Sequence, residues 1–190
     1  MKTSLLLLLL LFKLSLAYSQ DKLEREYRIK ESGVPAKALD YVESIFKNVG
    51  MKWYGEENLN GKAIEAKGRL QGDLYSVKFS IDGSLEDVER VMDFNSIPED
   101  VRNTIAKNLK NRFSKFKLQK TQIQWVGSMN DLAALVKEEA VTGPYTTNYE
   151  ITLRGTKDGR TDYYEILSNN KGELIRESKI VQRSNQNLIY

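Results

Sequence analysis

Few residues in this chain have the types and spacing that chemistry demands. The 190 residues include neither histidine nor cysteine, which removes Ser-His-Asp and thiol nucleophiles, the usual zinc ligand sets and imidazole acid–base catalysis. Carboxylate, lysine, tyrosine and serine chemistry remain. Adjacent acids stand at Glu56-Glu57 and Glu138-Glu139; two carboxyl groups can serve glycoside hydrolysis, but neighbours of this kind in charged segments are ordinarily solvated. Asp82 and Asp158 each precede a glycine. With no oxygen ligands at alternating positions beside them, they read as turn residues and not as calcium ligands. The expectation is a chain with no catalytic residue, no metal site and no cofactor, and hence no enzyme.

Recognition is the chemistry left to the aromatic and charged residues. Trp53 and Tyr54 are adjacent, so on a strand they point to opposite faces and one is exposed. Tyr145 follows Gly143-Pro144 in a loop, whereas Trp125 shares a face with Ile123 and reads as core. If Tyr75, Val77, Phe79 and Ile81 face the helices, alternation places Lys67, Arg69, Ser76 and Lys78 on the opposite face. Gln122, Gln124, Thr152, Arg154, Tyr163 and Glu165 join them from the C-terminal half. Tyrosine and arginine are favoured anchors of wet, hydrogen-bonded protein recognition, while the plainer reading is a solvated sheet surface. The binding candidates are thus Lys67, Arg69, Lys78, Arg154, Tyr163 and Glu165, with Trp53, Tyr54 and Tyr145 as exposed aromatics.

The elements that must carry these residues are written twice. Tyr75, Val77, Gly83, Leu85 and Val91 match Tyr164, Ile166, Gly172, Leu174 and Ile180, 89 residues later and without a gap. Val34-Pro35 and Ile97-Pro98 each open an amphipathic stretch, as a proline suits the first turn of a helix. Ala38, Leu39, Val42, Ile45, Phe46 and Val49 make the stripe of the first helix; Val101, Ile105, Leu109 and Phe113 make that of the second. Ser96 and Glu99 have the spacing of a capping box. Alternation over Ile64–Leu70 and Tyr75–Ile81 predicts strands, and Asp82-Gly83 predicts a two-residue hairpin turn. The resulting fold class is α+β: two tandem helix-plus-antiparallel-strand units forming a sheet with helices packed on one face. The units span residues 33–94 and 95–183, the second with a helical insertion at 128–142. An N-terminal arm, 20–32, precedes them, and a tail, 184–190, follows.

Residues 1–19 have the layout of a secretory signal peptide: Lys2, the leucine run Leu5–Leu11 and the ending Ala17-Tyr18-Ser19. No cysteine follows the run to take a lipid. Removing Lys2 and Lys13 with the leader leaves 27 basic residues against 26 acidic. That balance offers no clustered positive surface for nucleic acid. The expected protein is periplasmic or secreted, monomeric, without a nucleic-acid or membrane partner after cleavage, and held together by its core without disulfides.

The tandem order of proline-led helix, strand and tyrosine-bearing hairpin behind a signal peptide resembles the PepSY-like proteins with the β-lactamase-inhibitor-protein-like fold. Val34-Pro35, Ile97-Pro98, Tyr75–Gly83 and Tyr164–Gly172 carry the resemblance, over roughly residues 33–182. It implies export, no shared catalytic residues, and binding of a protein or peptide across the open sheet face, with inhibition as one form. The alternatives are a periplasmic carrier holding a small ligand between the sheet and the helix at 129–140, or a structural or envelope-stress protein with no discrete ligand.

Overall fold

The computed structural model describes residues 19–23, 25–58 and 61–181. They form, in chain order, β1 (Ser19–Leu23), β2 (Arg25–Arg28), α1 (Ala36–Ile45), β3 (Lys52–Asn58), β4 (Gly61–Leu70), β5 (Asp73–Ser80) and β6 (Leu85–Val91). There follow α2 (Glu99–Arg112), β7 (Lys115–Gly127), α3 (Met129–Val136), β8 (Tyr145–Lys157), β9 (Arg160–Asn169) and β10 (Leu174–Val181). Of the leader expected over 1–19, residues 1–18 lie outside the described residues, as does the tail expected over 184–190, while Ser19 begins β1.

The helices form where the apolar stripes predict them. Pro35 and Pro98 stand just before α1 and α2, where a missing N–H leaves no intrahelical bond unmade. The buried face of α1 is Ala38, Tyr41, Val42 and Ile45; that of α2 is Val101, Ile105 and Leu109. The Ser96–Glu99 capping box does not form, because Ser96 is taken up in a short 3-10 turn, Phe94–Ser96, started by the Asp93 side chain. Ser128 does cap α3, accepting from the Asp131 N–H.

Two hairpin turns differ in kind. Asp158 and Gly159 both have positive φ, 51° and 76°, and join Lys157 to Arg160 directly, the two-residue turn that matches strand twist. At Asp82-Gly83 only the glycine has positive φ, 82°. The Ser80 N–H donates to Ser84 O across a longer loop and the register slips at Lys78/Phe79. The two-residue turn expected there is therefore a bulged one, and Ile81 sits in it 64% exposed instead of facing the helices.

The two tandem units are overturned. All ten strands belong to one sheet in the order β1-β10-β9-β8-β7-β6-β5-β4-β3-β2, antiparallel except for the β1–β10 pair. It runs without a break through the supposed unit boundary, where Val88 pairs with Trp125 and Glu89 with Gln124. A free β6 edge would present a row of unpaired backbone groups, and β7 removes it. The core ignores the repeat as well: Leu132 and Val136 of α3 and Trp125 of β7 pack in one cluster with Ala38 and Val42 of α1 and Val77, Phe79 and Val88 of the sheet. A second cluster joins α2 to Tyr149, Ile151, Leu153, Tyr164 and Ile166. The repeated pattern thus fixes helices and strands locally, while burial is satisfied across the copies.

The sheet also curls. β1 and β2 occupy its two edges, yet only residue 24 separates them in sequence. Residues 23 and 25 are at most about 7 Å apart, and each lies about 5 Å from its paired strand. β10 and β3 therefore approach to about 17 Å at that end, whereas a flat sheet would hold them about 34 Å apart. Twist of this size is the ordinary tendency of large sheets. The helices cover the convex face, and the expected open face becomes the inside of a groove.

Candidate functional site: a polar groove

The groove has a volume of about 2100 Å³. Its walls come from residues that alternate with the core along each strand: Tyr54 and Glu56 of β3, Glu65 and Lys67 of β4, Ser76 and Lys78 of β5, Asp87 and Glu89 of β6. Gln122 and Gln124 of β7, Glu150 and Thr152 of β8, and Tyr163 and Glu165 of β9 continue it. Ten carboxylates and seven basic side chains line it, so the lining is acid-rich although the whole chain is not.

Lys67 and Lys78 are already engaged. Lys67 Nζ lies 2.5 Å from Glu26 Oε2 and 2.9 Å from Glu65 Oε2; burial alone would lower its pKa, but the two carboxylates outweigh it and hold the ammonium above its usual range. Lys78 Nζ, 2.8 Å from Glu56 Oε2, is held up by the same balance. Arg176 pairs with Glu165 at 3.2 Å.

Asp87 and Glu89 differ. Gln122 Nε2 donates to Glu89 Oε2 at 2.6 Å, and Gln124 Nε2 donates to Glu89 Oε1 at 3.2 Å and Asp87 Oδ2 at 3.3 Å. These donors are neutral. Burial therefore pushes Asp87 up to about 7 and Glu89 up to about 8, with Glu65 adding to both and Asp87 adding to Glu89. Two carboxyl groups in a groove that take up protons near neutrality mark a candidate functional centre.

The structure sorts the expected site residues. Lys67, Arg69, Lys78, Tyr54, Tyr163 and Glu165 line the groove. Arg69 is tied to its own turn, donating to Gly72 O at 2.9 Å. The Tyr54 ring lies between Arg28 and Lys67, with their charges 5.2 and 5.3 Å from its centroid. Three candidates stand elsewhere. Trp53 is 4% exposed in the core beside Phe79, so it is Tyr54 that faces outward from the helices. Arg154 is exposed at the end of β8, outside the groove lining. Tyr145 is exposed where β8 begins, beside Gly127. Asp87 and Glu89 escaped the sequence reading, although their alternation about Val88 was a usable signal. What alternation lacks is the curl that gathers the half-buried pair among other acids.

Similarity to solved structures follows this architecture. A BLIP-like protein from Bacteroides fragilis superimposes with a TM-score of 0.50 at 13% identity, covering 82% of this chain and 93% of its own. The fold is similar to that of BLIP-like proteins. A protein provisionally described as periplasmic, from Bacteroides eggerthii, matches the BLIP-like fold of this chain as well, with a TM-score of 0.50, 15% identity, and coverage of 77% and 88%. At these identities the likeness concerns the BLIP-like fold alone and carries nothing about PepSY units. No protein-family model matches the sequence, nor does any curated protein. Among the described residues, no helix is long and apolar enough to cross a membrane.

Proposed function

We propose that this chain is an exported, noncatalytic binding protein that takes a segment of a protein or peptide partner into its polar groove, in the manner of an inhibitor. The observation that carries the reading is the groove itself: about 2100 Å³ lined by charged and amide side chains, a surface suited to wet, hydrogen-bonded recognition. The BLIP-like neighbour and the neighbour described as periplasmic agree with a binding role outside the cytoplasm. The leader-like sequence before residue 20 points the same way. Tyr163, 38% exposed and lining the groove, is the natural anchor.

A photo-crosslinking residue tests the reading. Placed at Tyr163 it should capture an exported protein, and placed at Ile175, 49% exposed outside the groove lining, it should not. Capture from Ile175 alone, or from neither position, overturns the groove as the binding surface.

One observation favours a small-ligand carrier as a second reading: β1 and β2 pair with the two opposite edges of the sheet and so draw those edges together at one end of the groove. The ligand would lie in the groove and not under α3, where Leu132 and Val136 are buried at 0% and 4% exposure. A stoichiometric small molecule retained in native mass spectrometry would favour the carrier.

A further inference from the structure

The centre of the groove is built from acceptors. Asp87 and Glu89 stand two residues apart on β6 and so on one face. Among the described residues their hydrogen bonds come from the amides of Gln122 and Gln124, and neither is ion-paired. Two further acceptors are buried close by with no donor: Gln122 Oε1 and Asn148 Oδ1. The residues that carry them are 3% and 7% exposed. Gln122 lines the groove, whereas Asn148 lies behind the lining and donates to Gln124 Oε1 at 3.1 Å.

A buried acceptor without a donor is costly, and a partly buried carboxyl group without a cation adds to that cost. The group that would satisfy the two carboxyl groups and Gln122 Oε1 together is positively charged and rich in N–H. A guanidinium offers five donors in a planar fork and an ammonium offers three. A metal ion answers the pattern less well, since no cluster of three or more acidic side chains among the described residues is placed to hold one. We infer that the centre of the groove is a receptor for a basic side chain, arginine or lysine, of the bound segment, with Asp87 and Glu89 meeting its charge and Gln122 Oε1 accepting from its N–H groups. This rests on the groove reading above and names the chemistry of its partner.

Proton linkage sharpens the inference. Glu65 on β4, Glu86 on β6, Glu150 on β8 and Glu165 on β9 raise the pair, while Lys78 on β5 and Lys120 on β7 oppose them. The empty groove therefore holds protons near neutral pH, and a basic side chain displaces them, so binding strengthens as pH rises from about 6 to about 8.

The test uses the chain from residue 20 onward and two synthetic peptides alike except that one carries arginines and the other carries the neutral isostere citrulline at the same places. Calorimetry should show the arginine peptide bound about tenfold tighter or more, with a larger margin at pH 8 than at pH 6. Asp87→Asn with Glu89→Gln should abolish the margin, and circular dichroism reports whether that variant is folded. If it is not, Glu89→Gln alone carries the comparison. Equal affinity for the two peptides, no binding of either, or a margin kept by the folded variant overturns the receptor. Crosslinking from Tyr163 that survives in the variant would leave the groove reading standing and remove only the basic-residue receptor.

Discussion

Arg112 Nη1 lies 3.0 Å from Glu177 Oε2, and that carboxylate is only 1% exposed. Lys157 Nζ reaches its other oxygen at 2.5 Å. The three residues tie the last turn of α2 and the end of β8 to β10, on the opposite side of the sheet from the groove. Removing one partner of a buried ion pair leaves an uncompensated charge. Arg112→Met should therefore lower stability by about 2 kcal/mol, and Arg112→Met with Lys157→Met by about 3 to 5 kcal/mol. Urea denaturation measures both, and a double variant as stable as the parent would refute the account.

Two glycines with nearly the same φ separate backbone strain from crowding. Gly159, φ 76°, has open space where a Cβ would stand, so Gly159→Ala should destabilise by about 1 kcal/mol, the strain of a left-handed residue. Gly172, φ 78°, would place a Cβ 2.6 Å from the Val101 carbonyl oxygen and 2.9 Å from Thr104 Cβ. Its own carbonyl also accepts from Asn108 Nδ2 at 3.0 Å. Gly172→Ala must therefore push α2 away as well, and should lower the melting temperature clearly more than Gly159→Ala. Equal losses would mean that the approach of α2 to this turn is not tight.

The raised pair sets the pH dependence of stability. In the folded state Asp87 and Glu89 hold protons up to about pH 7 and 8, whereas unfolded carboxyls release theirs near pH 4. Between those limits the native state binds more protons, so this contribution is present at low pH and is lost as pH rises through 7 and 8, by at most about 1.4 kcal/mol per pH unit per group. Asp87→Asn with Glu89→Gln should remove the decline and raise the melting temperature most at about pH 8.5. A variant whose melting temperature falls in parallel with the parent's over that range would contradict the shift.

Leu132 is wholly buried in the cluster that α3 shares with α1 and the sheet. Leu132→Ala should cost about 2 to 5 kcal/mol. Because the sheet is continuous, the loss should appear as one cooperative transition moved to lower denaturant, seen alike by tryptophan fluorescence and by circular dichroism. Two separated transitions would restore independent units.

Much of the local structure is written in single stretches of sequence. The spacing of Val101, Ile105 and Leu109 makes a helix with one buried face, and the alternation of Tyr75, Val77 and Phe79 with Ser76 and Lys78 makes a strand with two unlike faces, because these periods are properties of the backbone. The same alternation put Lys67, Lys78, Gln122, Gln124 and Glu165 on one side of the sheet, where the structure has them. The absence of histidine and cysteine limited the chemistry before any fold was known.

Other features depend on residues far apart in the chain. Whether the two copies stand apart or share a sheet rests on the pairing of β6 with β7 and on where α3 buries Leu132, contacts between distant residues that no local period encodes. Curvature is of the same kind: β1 and β2 reach opposite edges only because small twists add up over the strands between them. That accumulated curl brings Glu65, Asp87, Glu89, Glu150 and Glu165 around one groove. In sequence they are ordinary surface acids; gathered and desolvated, Asp87 and Glu89 become groups that hold protons at neutral pH and are placed to meet a positive charge.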